Sequence, residues 1–244
     1  MTIRPILMSG SMVRAVLRQI KCRDGKTQTR RIATAGTTTW DGGAWPQEWR
    51  GHHIGDLAWV DNSFPDSPIL KINTATGDTT HRIRPRIEAG DLLYVREQWG
   101  TPPKFDQIPP RDLAKGSQVH YLAGPDDTYY AWGRLRQGMH MPRWASRITL
   151  SVTDVRFERL QDISETDAAA EGVAPCPVFW TAANPEYSVH GETNIYPWRI
   201  GAFTELWNNI NEDRGFGWET NPWVVVIEFE PHLCNVDRMN GVQA

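Results

Sequence analysis

The sequence predicts an α+β fold in which a few long strands form the body, a few helices flank them and several long loop insertions interrupt them. Three features of the 244 residues point there. Residues 11–21 put Met12, Val13, Val16, Leu17 and Ile20 on one helical face and Arg14, Arg18 and Lys21 on another. Residues 143–155 alternate as a strand does, with Ile148, Leu150 and Val152 on one side and Arg147, Thr149, Ser151 and Thr153 on the other. The stretches at about 33–87, 101–139 and 174–198 are rich in turn residues and poor in periodicity, so they read as insertions into one elaborated domain spanning 1–244.

Bulk properties bound what such a domain does. A hydrophobic content of 40% with 12 Trp is ample for a core. No run approaches the roughly 20 apolar residues that span a bilayer, and no hydrophobic signal core opens the chain, so a cytoplasmic protein without a membrane partner is expected. Cys22, Cys176 and Cys234 are odd in number and far apart, which indicates neither a disulfide framework nor a zinc site; no metal or cofactor is expected. The net charge of −3 argues against a general polyanion binder. Local charge differs. Residues 14–31 hold seven basic side chains against Asp24 alone, a net of +6, and residues 158–171 hold five acids against Arg159, a net of −4. A small basic face suits a nucleotide or a short single strand better than a long duplex, although both runs are also what solvated faces look like.

In chain order, helix 11–21 is stopped by Gly25. Thr27, Thr29 and Arg31 then alternate with Gln28, Arg30 and Ile32, which places Lys26 and Thr29 on a short exposed strand entered from a tight turn. Within 33–87, residues 54–60 and 69–72 form a hairpin. Trp40, Trp45 and Trp49 either stack on bases or, more commonly, fasten a long loop to the body; His52 and His53 belong to the surface. Leu92, Leu93, Tyr94 and Val95 follow Gly90 and Asp91 as a strand entered by a turn. Val119, His120, Tyr121 and Leu122 resemble a strand inside the second insertion. Ser164 with Asp167 forms a capping box for a helix running to Gly172, which leaves Glu171 at its negative end. Ala202, Phe203, Leu206, Trp207 and Ile210 make one helix face, residues 223–229 a closing strand, and residues 231–244 a frayed end.

The densest chemistry is Gly25-Lys26-Thr27-Gln28-Thr29-Arg30-Arg31, two hydroxyls and three cations in seven residues. With Arg4-Pro5-Ile6-Leu7-Met8-Ser9 before it, this segment resembles the start of an ASCH domain, whose signature is a G-x-K-x-x-T-x-R type turn. Further matches follow in order: Ala89-Gly90-Asp91-Leu92-Leu93-Tyr94-Val95-Arg96-Glu97-Gln98-Trp99, Met141-Pro142-Arg143-Trp144-Ala145-Ser146-Arg147-Ile148-Thr149-Leu150, Ala170-Glu171-Gly172-Val173 and Asn221-Pro222-Trp223-Val224-Val225-Val226-Ile227-Glu228-Phe229. In detail they are similar to the longer ASCH-like proteins of phages and prophages, over about half the residues. The resemblance implies a PUA-like β-barrel, a nucleoside or single-stranded nucleic acid as partner, and kinship with an amidohydrolase that deacetylates N4-acetylcytidine. It implies Lys26 as base, Thr29 as nucleophile and Glu171 as acid, with Arg96, Glu97 and Trp99 at a strand end near the pocket; Arg30, Arg31, Arg143 and Trp144 are further candidates around the substrate, and Trp218 and Trp223 either wall the pocket or, by default, pack in the core.

A hydroxyl, an amine able to take its proton and a carboxyl able to give one suit acyl transfer. An amine with an ordinary pKa of about 10.4 is a poor base at neutral pH, so burial or Arg30 and Arg31 must lower it. Two readings follow: hydrolysis of an N4-acylated cytidine, or non-catalytic binding of RNA or a modified base with Lys26, Arg30, Arg31 and Arg143 as anion contacts. Ribonuclease-like activity is less favoured, because no His stands in the Lys26, Arg143 or Glu171 segments as a general base or acid.

Overall fold

The computed structural model describes residues 1–34, 36–40, 58–61, 68–73, 80–124, 132–175, 187–189 and 196–239. The described chain is mixed α+β, mostly sheet with few helices. Its centre is a five-stranded sheet. Strand β1 (Ile3–Leu7) leads through helix α1 (Gly10–Cys22) to β2 (Gln28–Ile32), and these two strands form the sheet's opposite edges. Between them lie β7 (Leu92–Arg96), β10 (Thr149–Arg159) and β13 (Trp223–His232), in the order β1-β7-β10-β13-β2. Only β1 and β7 run parallel. Among the described residues no strand joins β1 to β2, so the sheet stays open where a closed barrel was expected. Helix α1, the 13-residue link between the two edge strands, packs on the sheet through Val13 and Val16.

The long strand β10 is buried by a change of parity. Leu150 and Val152 face the core, the register against β13 slips between Val152 and Asp154, and Val155 and Phe157 then face the same core. One extra residue at Thr153 thus keeps an 11-residue strand on its core despite strong twist. Strand β13 pairs on both sides and is central, which explains an apolar run with both faces covered. Val225, Ile227 and Phe229 face the α1 side; Val224 and Val226 face a second cluster with Phe203, Leu206 and Trp207.

The segment expected as a first insertion is itself a sheet. Strands β3 (Thr38–Trp40), β4 (Ala58–Asp61), β5 (Ile69–Asn73) and β6 (Thr80–Pro85) pair in the order β3-β6-β5-β4, with the anticipated hairpin realised as β4 against β5. Trp40, Leu70 and Ile83 enter the main cluster beside Leu150 and Phe157, so this sheet is part of the core rather than an appendage. Trp40 is therefore a fastening residue, whereas Trp45, Trp49, His52, His53 and Cys176 lie outside the described residues. In the second insertion, β8 (Trp99–Gly100) pairs with β9 (His120–Tyr121), at the place expected for a strand.

On the other face, helix α2 (Glu165–Ala170) starts with the expected capping box, in which Ser164 and Asp167 satisfy each other's backbone N–H. Helix α3 (Arg199–Asn211) has no side-chain cap of its own; the Glu165 carboxylate accepts from Arg199 N (3.0 Å) and Ile200 N (3.2 Å) instead. A carboxylate there meets both the open donors and the positive end of α3. Strands β11 (Val173–Pro175) and β12 (Tyr187–Val189) pair beside these helices. The end expected to fray is tied down as far as residue 239 by helix α4 (Val236–Met239). Val236 is buried against Leu92 and Tyr94, and the Asn235 amide donates to the carbonyls of Arg143, Trp144 and Ser146.

Candidate functional site along the edge of β2

The turn before β2 is shaped by contact rather than by helix capping. Helix α1 ends on Arg23 in the left-handed region (φ 62°), not on Gly25. Gly25 is required because its backbone lies on α1: a Cβ there would stand 2.1 Å from the Ala15 carbonyl oxygen. Lys26 N donates to that same oxygen at 3.0 Å, and Thr27 N donates to Ala170 O at 2.8 Å. Gly172, at φ +99°, closes the contact from α2, where a Cβ would come within 2.8 Å of Ala15 Cβ and 3.3 Å of Lys26 Cβ. Three backbone segments converge, and Lys26 lies between them.

Lys26 is wholly buried, and its Nζ donates to Glu171 Oε2 (2.5 Å) and to the Glu171 carbonyl oxygen (2.8 Å). The ammonium therefore offsets both the carboxylate and the negative end of α2 on which that carboxylate sits. Arg30, its side chain 0% exposed, extends the network: Nη1 lies 3.4 Å from Glu171 Oε1, and Nη2 lies 2.9 Å from Glu158 and 3.7 Å from Asp167. Arg156 carries it outward through Glu158 (2.5 Å), Asp167 (3.6 Å) and Glu228 (2.5 Å). The basic and acidic runs of the sequence thus meet each other, so the expectation of an exposed strand carrying free cations is corrected at Lys26 and Arg30. Burial lowers the Lys26 pKa, and the attraction of Glu171 does not make up the loss. Burial pushes the Asp167 pKa upward but is outweighed by hydrogen bonds from Ser164 and by Arg30 and Arg156, which hold it below the usual carboxylate range.

A cleft of about 640 Å³, counting its open mouth, runs along β2 between α1 and α3. Four consecutive residues, Thr29, Arg30, Arg31 and Ile32, line it with Glu171. Successive side chains of a strand point to opposite faces, so four in a row means that the cleft follows the strand's edge. Across from them stand Ile210, Asn211 and Arg214, with Thr34 and Thr37 at one end. Arg214 is exposed, and its Nη1 donates to Asn211 Oδ1 (3.1 Å); Arg31 Nη2 donates to Leu7 O (2.8 Å). The Thr29 hydroxyl is buried and has no hydrogen-bond partner among the described residues. Thr29 and Arg31 share one face of β2, and Gln28, Arg30 and Ile32 share the other. Lys26 and Glu171 are therefore in contact, while the proposed nucleophile lies outside hydrogen-bond reach of the amine.

The other sequence-derived candidates lie away from this cleft. Arg96 sits over the Tyr94 ring (5.4 Å) and donates to Met139 O. Glu97 is buried and held by Arg147 Nε and Nη2, each at 2.9 Å; burial raises its pKa although Arg147 opposes the shift. Trp99 is core, with Trp144 packed against the same cluster. Arg143 pairs with Asp237. Trp218 packs beside Phe203, and Trp223 is buried under Arg159, 4.6 Å from its ring centre. Conversely, the sequence does not mark Asn211, Arg214, Thr34 and Thr37 as lining; Asn211 ends α3, whose apolar face is legible, and Arg214 follows it, but no local signal directs them toward β2. Among the described residues no three His, Cys, Asp or Glu side chains are grouped to hold a metal, and no helix is long and apolar enough to cross a membrane. Comparison of the chain with protein-family models, with curated proteins and with solved structures found no match.

Proposed function

We propose that the cleft along β2 is a binding site for a nucleoside or nucleic-acid base, in a protein of ASCH-like, PUA-like type, and that it binds rather than hydrolyses. The observation carrying this reading is the separation of the supposed catalytic groups. Lys26 Nζ is committed to Glu171, and although Thr29 lines the cleft its hydroxyl is buried without a partner among the described residues. A nucleophile needs both an open path to its substrate and a base within about 3.2 Å. The cations left for a phosphate are Arg31 and Arg214, which line the cleft, rather than the buried Lys26 and Arg30 or the paired Arg143.

Hydrolysis of N4-acylated cytidine is the second reading, favoured by the lowered Lys26 pKa and its contact with Glu171. In it Thr29 Oγ1 would attack the acyl carbon while Lys26 takes its proton. Glu171 would protonate the departing amine, giving cytidine, and water would release the acid from the ester. Purified protein incubated with N4-acetylcytidine distinguishes the two. Binding detected by calorimetry with no cytidine by chromatography is the expected result; cytidine formed by the wild type and absent with Lys26→Ala would establish hydrolysis instead.

A further inference from the structure

Resting on the reading of this cleft as a base site, we infer that it reads its ligand through the main chain of Arg30, whose N–H and C=O face the cleft from the free edge of β2. Among the described residues strand β2 pairs only with β13, so half its backbone groups point away from the sheet. Which half is fixed at both ends of the pairing. Phe229 N donates to Thr27 O and Ala33 N to Trp223 O, each at 2.9 Å, in one register with Thr29 opposite Ile227 and Arg31 opposite Val225. Odd-numbered residues therefore bond to β13, and even-numbered ones face outward. Two outward groups are already taken within the protein: Lys26 N–H by Ala15 O (3.0 Å), and Ile32 C=O by the Thr37 hydroxyl (2.6 Å). Between them the N–H and C=O of Gln28 and Arg30 and the Ile32 N–H remain, and of these the Arg30 and Ile32 groups lie in the part of the strand that lines the cleft. The Arg30 side chain is 0% exposed and the whole residue 4%, so Arg30 reaches the cleft by its backbone.

A main-chain donor and acceptor side by side match a planar ring that offers an acceptor next to a donor, as the amide edges of uracil (O4 and N3–H) and guanine (O6 and N1–H) do. An added peptide strand would use the same groups, but Gln28, whose outward N–H and C=O come before them, does not line the cleft, so only the Arg30 pair and the Ile32 N–H open into it. The far side is walled by Ile210, Asn211 and Arg214. A ring fits that gap better than a strand, which gains its affinity from a longer ladder.

The test uses the full chain labelled with ¹⁵N, titrated with uridine and guanosine and with 3-methyluridine and 1-methylguanosine, in which the ring N–H is replaced. The expected result is movement of the Arg30 and Ile32 amide resonances with the unmethylated nucleosides and at least tenfold weaker binding of the methylated ones, about 1.4 kcal/mol. Equal affinity for both sets, with cleft side chains shifted but the Arg30 amide unmoved, overturns the main-chain readout and leaves the base site standing. No shift with any nucleoside overturns both. Movement of the Arg30 amide by an extended peptide and not by nucleosides assigns the edge to strand addition and overturns the inference.

Discussion

Lys26 shows how a residue's chemistry is set by what encloses it. Replacing it with Met leaves the buried Glu171 carboxylate with Arg30 at 3.4 Å as its remaining charged partner. Stability should fall by about 3 kcal/mol at neutral pH, read by urea denaturation. The pH dependence has a definite sign. Burial holds the folded-state pKa below the ordinary 10.5, so between those values the unfolded chain binds more protons, and the stability Lys26 contributes rises with pH across that window. The wild type should therefore gain on Lys26→Met as pH climbs toward 10.5. Thr29 gives the sharper functional test. Its buried hydroxyl lacks a partner, so Thr29→Val should leave stability unchanged or raise it by about 1 kcal/mol and leave ligand affinity intact. A loss of activity in that variant, with folding intact, would restore Thr29 as a nucleophile. The sequence marked Lys26, Thr29 and Glu171 by type and order; it did not carry their mutual geometry, because strand parity and an ion pair spanning 145 positions are not local properties.

At the scale of elements, local signals were reliable where the cause was local. The period of α1 and the capping box of α2 are written in neighbouring residues and form as read, whereas the strand expected over 143–155 begins only at Thr149, residues 143–145 forming a 3₁₀ turn, and keeps its alternation as far as Val152. Errors arose where a remote element intervened. Gly25 reads as a helix stop, yet its smallness serves contact with the Ala15 carbonyl, and the cap is Arg23. Gly25→Ala must push α1 off the β2 turn and should cost about 3 kcal/mol, whereas Gly90→Ala, at φ +86° with open space around it, should cost only about 1 kcal/mol by thermal or chemical denaturation. The bulge at Thr153 was equally invisible: a strict alternation would have put Val155 and Phe157 on the wrong face, and it is pairing with β13 that selects the slip.

For the whole molecule, the opposed charge runs were legible as numbers, but their meeting was not. The +6 stretch of residues 14–31 spends Lys26 and Arg30 on the acids of residues 158–171, which is why net charge and local charge point to different partners. The 33–87 stretch reads as an insertion holding one hairpin, and low periodicity conceals only that its few, scattered apolar residues reach the main core. Leu70→Ala should lower the stability of the entire chain by about 3 kcal/mol in one cooperative transition, because Leu70 is wholly buried in the cluster that holds Leu150 and Phe157. A small separate transition would make the four-stranded sheet an independent unit. The strand order of the central sheet also sets a timetable. Among the described residues strand β2 pairs only with β13, which begins at residue 223, so a ribosome adding about 5–20 residues per second leaves β2 without that partner for on the order of 10–40 s. The cleft is therefore completed late in synthesis, long after the strand that lines it has emerged, and a nascent chain halted short of β13 would present that strand's edges to its neighbours rather than to a ligand.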